Sequence, residues 1–179
     1  LLQELGHRPD KRLGQSFLVD GNLVRKSLEM ADLPAGSKVV EVGPGLGSLT
    51  GALLDAGHQV YAVERDPVLV KHLRSTQAQA LGDGRLVLNE GDAMKIPLAG
   101  LPEGTEEFFI VANLPYAIAS PWLEEVLGDG RLPVRMVLML QKEAADRYQA
   151  KAGTKSFGAL TIFLASAFEV TASHAVSKP

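Results

Sequence analysis

Cysteine is absent from the 179-residue sequence, so neither a disulfide framework nor a thiolate metal site is available, and a reducing compartment suits the chain. Histidine is sparse: His7, His58, His72 and His174 are scattered, and no two have the spacing of a zinc-binding helix. No metal site is expected. Long apolar runs are missing too. The longest, around Phe157 to Phe168, is too short to span a membrane and is interrupted by Gly158, Thr161 and Ser166, so it reads as a core helix. No basic-then-apolar leader opens the sequence, which begins at Leu1; a cytoplasmic protein with a trimmed start is expected.

What is present is an ordinary globular composition, 46% hydrophobic and 22% charged, in a length that suits one domain with a sizeable core. The net charge of −3 is unevenly spread. Residues 1–26 carry five basic against three acidic side chains, residues 140–179 the same, and the stretch between them is strongly acidic. Basic ends around an acidic body permit phosphate contact at the edges, although such small imbalances are usually just solvated surface.

Apolar runs bounded by glycine, proline and polar clusters alternate with longer amphipathic stretches, the pattern of βα units in a mostly parallel open sheet with helices on both faces. Strands are predicted at 38–43, 59–64, 86–89, 108–113, 134–140 and 168–175. Helices are predicted at 20–31, 48–57, 67–80, 118–128, 142–151 and 157–167. Ser48 can cap the second helix, Gly57 can end it, and Pro67 suits the first turn of the third. Pro34-Ala35-Gly36 and Gly82-Asp83-Gly84 read as turns.

Four strand ends carry candidate chemistry. Glu41-Val42-Gly43-Pro44-Gly45-Leu46-Gly47-Ser48 is a glycine-rich strand-to-helix turn, where Gly43, Gly45 and Gly47 let the backbone approach a nucleotide-like ligand at a helix N-terminus. A dinucleotide site and a bare structural turn share that pattern. Glu64 stands 21 positions after Gly43, where a carboxylate can accept both hydroxyl hydrogens of a ribose. In Gly91-Asp92-Ala93 the aspartate can accept from an adenine amino group while a backbone N–H serves the ring.

The fourth strand ends in Asn113-Leu114-Pro115-Tyr116. The lone pair of an exocyclic amine is delocalised into its ring, so methylating it requires that pair to be aimed. The Asn113 amide oxygen and the Leu114 carbonyl can accept its two N–H groups; Pro115 stiffens the turn, and Tyr116 offers a stacking face.

Gly14-Gln15-Ser16-Phe17-Leu18, the EVGPGLGSLT turn, Glu64, the Gly-Asp-Ala turn, NLPYAIASP at 113–121 and Leu140-Gln141-Lys142-Glu143 occur in the order seen in the KsgA-type ribosomal RNA adenine dimethyltransferases, which the chain resembles over nearly its whole length. NLPY followed by Ser-Pro is more similar to the small-subunit enzymes than to the related large-subunit resistance enzymes. The resemblance implies a Rossmann-like S-adenosylmethionine-dependent methyltransferase fold, with residues 1–179 as its catalytic domain. It implies cofactor contacts from Gln15, Ser16, Leu18, Gly43, Glu64, Asp92 and Asn113, although Ser16 stands where the family often has asparagine or histidine. It also implies small-subunit ribosomal RNA as substrate, a monomer without metal or membrane, and a further strand and helical RNA-binding domain beyond Pro179. A nicotinamide-dependent dehydrogenase would share the glycine turn and Glu64 but has no need of NLPY. A non-catalytic ribosome-assembly factor would tolerate the loss of Asn113.

Overall fold

A computed structural model describes Leu18 and residues 20–176. Five strands, β1 (Lys38–Val42), β2 (Gln59–Glu64), β3 (Leu86–Glu90), β4 (Phe109–Asn113) and β5 (Arg135–Met139), form one sheet in the order β3-β2-β1-β4-β5. Every pairing is parallel, with Val42 beside Val63 and Asn113 beside Met139 at the strand ends. The central strands are nearly continuous runs of valine, isoleucine and alanine because both faces of a parallel sheet are covered by helices.

Alternate residues supply two cores. Val40, Val42, Tyr61, Val63, Ile110 and Ala112 point to one side, under Trp122, Leu123 and Val126 of α5 (Tyr116–Gly128). Val39, Val60, Ala62, Phe109 and Val111 point to the other, under α1 (Gly21–Ala31) and α2 (Ser48–Asp55). Trp122 is fully buried, and its indole N–H donates to the Pro97 carbonyl at 3.0 Å, tying α5 to the β3–β4 connection.

The strand positions agree with the sequence expectation to within a residue or so for β1 to β5, but the sixth strand does not form. Residues 168–176 pair with nothing in the described sheet, and Val170 and Val176 are exposed, so this segment has no ladder partner and leaves its apolar residues unburied. The expected helix over 67–80 is broken at Gln77, whose ψ of 24° leaves the helical region, into α3 (Pro67–Thr76) and α4 (Ala78–Gly82). Asp66 caps α3 by accepting the Val68 N–H at 2.9 Å, with Pro67 in the first turn as expected. Ser48 is not a cap but the first residue of α2, and Gly47 occupies the cap position. α6 (Lys142–Tyr148) is shorter than expected. α7 (Ala159–Ala167) is not a core helix: it buries Leu160 and Thr161 but leaves Ile162 and Phe163 in solvent. No helix among the described residues is long and apolar enough to cross a membrane.

Candidate active site

The chain starts in the middle of the sheet, builds outward to β3, then returns to lay β4 on the other side of β1. The β1 and β4 ends therefore part company at a topological switch point, where the connecting turns leave in opposite directions and open a crevice. The turn after β1 forms one wall. Gly43 and Gly45 hold φ of +65° and +60°, conformations open to glycine at little cost, and a Cβ at Gly43 would touch Pro115 of the opposite turn at 3.9 Å. Gly47 does not line the crevice. Its φ is +84°, and a Cβ there would lie 2.7 Å from Leu73 Cδ2, so this glycine serves the packing of α2 on α3.

Glu64, at the end of β2, lines the crevice beside that turn while staying almost wholly buried. Its Oε2 accepts the Gly45 N–H at 3.1 Å, and its Oε1 accepts the Asp66 N–H at 2.9 Å. Burial raises the pKa of this carboxyl, and the main-chain donors oppose the rise because they favour the charged form. Each carboxylate oxygen has capacity for a second donor, so a diol arriving in the crevice would meet an acceptor already fixed in place.

Asp92 follows β3. Its Oδ1 accepts the Met94 N–H at 3.0 Å and its carbonyl accepts from Lys95 and Ile96, a tight turn that orients the side chain. Asp92 and the buried Ala93 both line the crevice, as does Leu18. From β4 come Asn113, Leu114 and Pro115. The Leu114 N–H donates to the Met139 carbonyl at 3.2 Å, prolonging the ladder by one bond, and the Pro115 carbonyl accepts from Ile118 as α5 begins. The turn is thus held at both ends.

Tyr116 is set apart from this group. It is the first residue of α5, two positions earlier than the expected helix start, and 58% of it is exposed. It lines a separate groove between α5 and α6 that meets the crevice at Ala117. Gln15 and Ser16 lie outside the described residues.

Glu41 opens the glycine-turn motif, yet the sequence assigns it no role of its own. It sits inside β1, completely buried, accepts the Thr50 hydroxyl at 2.7 Å, and lines the floor of the crevice. Burial pushes its pKa up to about 8, the Thr50 hydrogen bond opposes this, and Glu64 adds to it. The available signal is a lone acidic residue among the valines of the strand, Val39-Val40-Glu41-Val42. Among the described residues no group of three or more histidines, aspartates or glutamates could hold a metal ion.

A parallel sheet of this order, with its crevice built from a glycine turn, an acidic second strand end and the Asn113-Leu114-Pro115 turn, defines a Rossmann-like methyltransferase fold. Residues 6–178 match the model of one family within that class, Ribosomal RNA adenine dimethylase, and the chain belongs to that family. It is 60% identical over 177 residues to the ribosomal RNA small subunit methyltransferase A of Opitutus terrae, covering 98% of this chain and 63% of that protein. Among solved structures it is similar to a dimethyladenosine transferase from Plasmodium falciparum, with a TM-score of 0.69 and 29% identity, covering 84% of this chain and 52% of that one. It is also similar to the 23S rRNA methyltransferase ErmE, with a TM-score of 0.60 and 30% identity over 74% of this chain and 50% of that one. The chain spans between half and two thirds of the length of these relatives.

Proposed function

We propose that this chain is the cofactor-binding catalytic domain of an enzyme that transfers methyl groups from S-adenosylmethionine to the exocyclic N6 of adenines in small-subunit ribosomal RNA, giving N6,N6-dimethyladenosine. The observation that carries the reading is the convergence of Glu64, Asp92 and the Asn113-Leu114-Pro115 turn on one switch-point crevice. The relatives named for small-subunit methylation and dimethyladenosine transfer support the choice of substrate.

The residues present fit an adenosine cofactor. The Glu64 carboxylate takes the ribose hydroxyls, Asp92 takes the adenine amino group, and the turn at Gly43 and Gly45 leaves space for the remainder. The cofactor supplies an electrophilic methyl carbon. Asn113 and the Leu114 carbonyl accept the two N–H bonds of the target amine and direct its lone pair at that carbon, while Tyr116, beside Ala117 where the groove meets the crevice, offers its ring to the base. Positioning and exclusion of water provide most of the acceleration. The amine sheds its proton after attack, and water suffices to take it. On this reading the enzyme acts as a monomer in the cytoplasm on the immature small subunit, with neither metal nor membrane.

The test is a tritiated-methyl assay on immature small subunits, with mass spectrometry of the adenines, for this chain beside the whole protein. The whole protein is expected to yield dimethyladenosine; this chain, with only two weakly basic ends to offer phosphates, is expected to bind cofactor and methylate poorly. Absence of dimethyladenosine with the whole protein would overturn the reading, and a change in nicotinamide fluorescence on mixing would favour a dehydrogenase.

A further inference from the structure

α6 carries two cations five residues apart, and they are treated differently. Lys142 is paired with Asp146. Arg147 forms no ion pair among the described residues, although Glu143 stands four positions before it on the same helical face, the spacing at which opposite charges ordinarily meet. Both Arg147 and Glu143 line the groove between α5 and α6, with Ser156 and with Ser120 and Tyr148, whose hydroxyls are hydrogen-bonded to each other at 2.8 Å. The groove encloses about 420 Å³, within the range of sites that hold small organic ligands. Ala117 lines both the groove and the catalytic crevice, and the exposed Tyr116 ring lies on the groove side.

We propose that this groove holds the nucleotide next to the target adenosine in the same RNA strand, with the Arg147 guanidinium on the phosphodiester that joins the two. The inference rests on the methyltransferase reading and adds to it a second subsite and the residue that grips the backbone. A guanidinium without a carboxylate partner presents a planar fork of donors that matches a phosphate. Glu143 and Ser156, on the groove wall, provide acceptors for the amino hydrogens of a base. A single-stranded RNA whose target base is turned into the crevice must carry its next phosphate past Tyr116. Arg147 is the one cation among the residues lining that groove.

Anisotropy of a fluorescent single-stranded oligoadenylate, titrated with the chain at several salt concentrations in the presence of S-adenosylhomocysteine, tests this. Arg147→Gln should weaken binding about tenfold and reduce the slope of log affinity against log salt by about 0.7, the loss of one phosphate contact to a single strand. Lys151→Gln, which removes an exposed charge just beyond α6 and outside the groove, should change both far less. Arg147 is a surface side chain, so its replacement should leave calorimetric S-adenosylhomocysteine affinity unchanged. Equal weakening by the two variants, or no oligonucleotide binding by the unaltered chain even at low salt, would overturn the groove assignment. Failure of the unaltered chain to bind S-adenosylhomocysteine would instead overturn the methyltransferase reading.

Discussion

The Glu64 carboxylate accepts the main-chain N–H of Gly45 at 3.1 Å, so the acidic end of β2 holds the glycine turn that follows β1. One side chain therefore joins two strand ends and fixes the shape of the crevice before any ligand arrives. Rigid placement of a polar group lowers the ordering cost that binding must otherwise meet.

Glu64→Ala should weaken S-adenosylmethionine binding by about 1–3 kcal/mol, the scale for losing charge-assisted hydrogen bonds. Two contributions add: the lost ribose acceptor and the freed Gly45 turn. Calorimetry on the chain measures the sum, and unchanged affinity would remove Glu64 from the site.

Glu41 makes stability depend on pH in a direction opposite to that of an ordinary paired carboxylate. Its folded pKa is raised from 4.5 to about 8, so its contribution is fully present below 4.5 and is lost as pH rises through 8. Across that window the unfolded chain gives up the proton and the folded chain keeps it, with a slope of up to about 1.4 kcal/mol per pH unit. Glu41→Gln keeps an acceptor for the Thr50 hydroxyl but cannot ionise. Urea unfolding should show the variant gaining on the wild type from pH 4.5 upward and levelling off above 8; a pH-independent difference would contradict the raised pKa.

Asn113→Ala in the whole protein should abolish methyl transfer while leaving cofactor affinity within a few-fold. An acceptor that matters most as the amine rehybridises should be felt chiefly in kcat. Near-normal turnover would point to an assembly factor or to a different target pocket.

Tyr116→Phe should remain active, whereas Tyr116→Ala should lose about 1–3 kcal/mol of base binding. The ring is exposed at the head of α5 and contributes little to the core, so neither change should shift Tm appreciably. Equal damage from both substitutions would show that the hydroxyl is the working group.

Much of this was legible along the chain because βα units write themselves in local pattern. Lys38–Val42, Gln59–Glu64 and Phe109–Asn113 are recognisable by their apolar runs, and Gly43, Glu64, Asp92 and Asn113 by their places at the ends of such runs. Strand ends in a parallel sheet share one edge, so residues far apart in sequence are brought together by a topology that sequence order already constrains.

What the sequence could not decide depended on neighbours. Gly47 carries the same signal as Gly43 and Gly45, yet it packs against Leu73, because the helix turns it away from the crevice. Residues 168–176 have the alternation of a strand and no strand beside them to pair with; periodicity states a preference, and only a partner supplies the hydrogen bonds. Glu41 looks like any acidic residue until the sheet and α2 bury it, and Arg147 like any surface cation until its expected partner Glu143 fails to meet it. Local pattern determined the elements and the strand-end residues of this protein. Tertiary packing decided which carboxyl keeps its proton and which cation is left to face the groove, because burial and pairing are properties of the surroundings rather than of the residue.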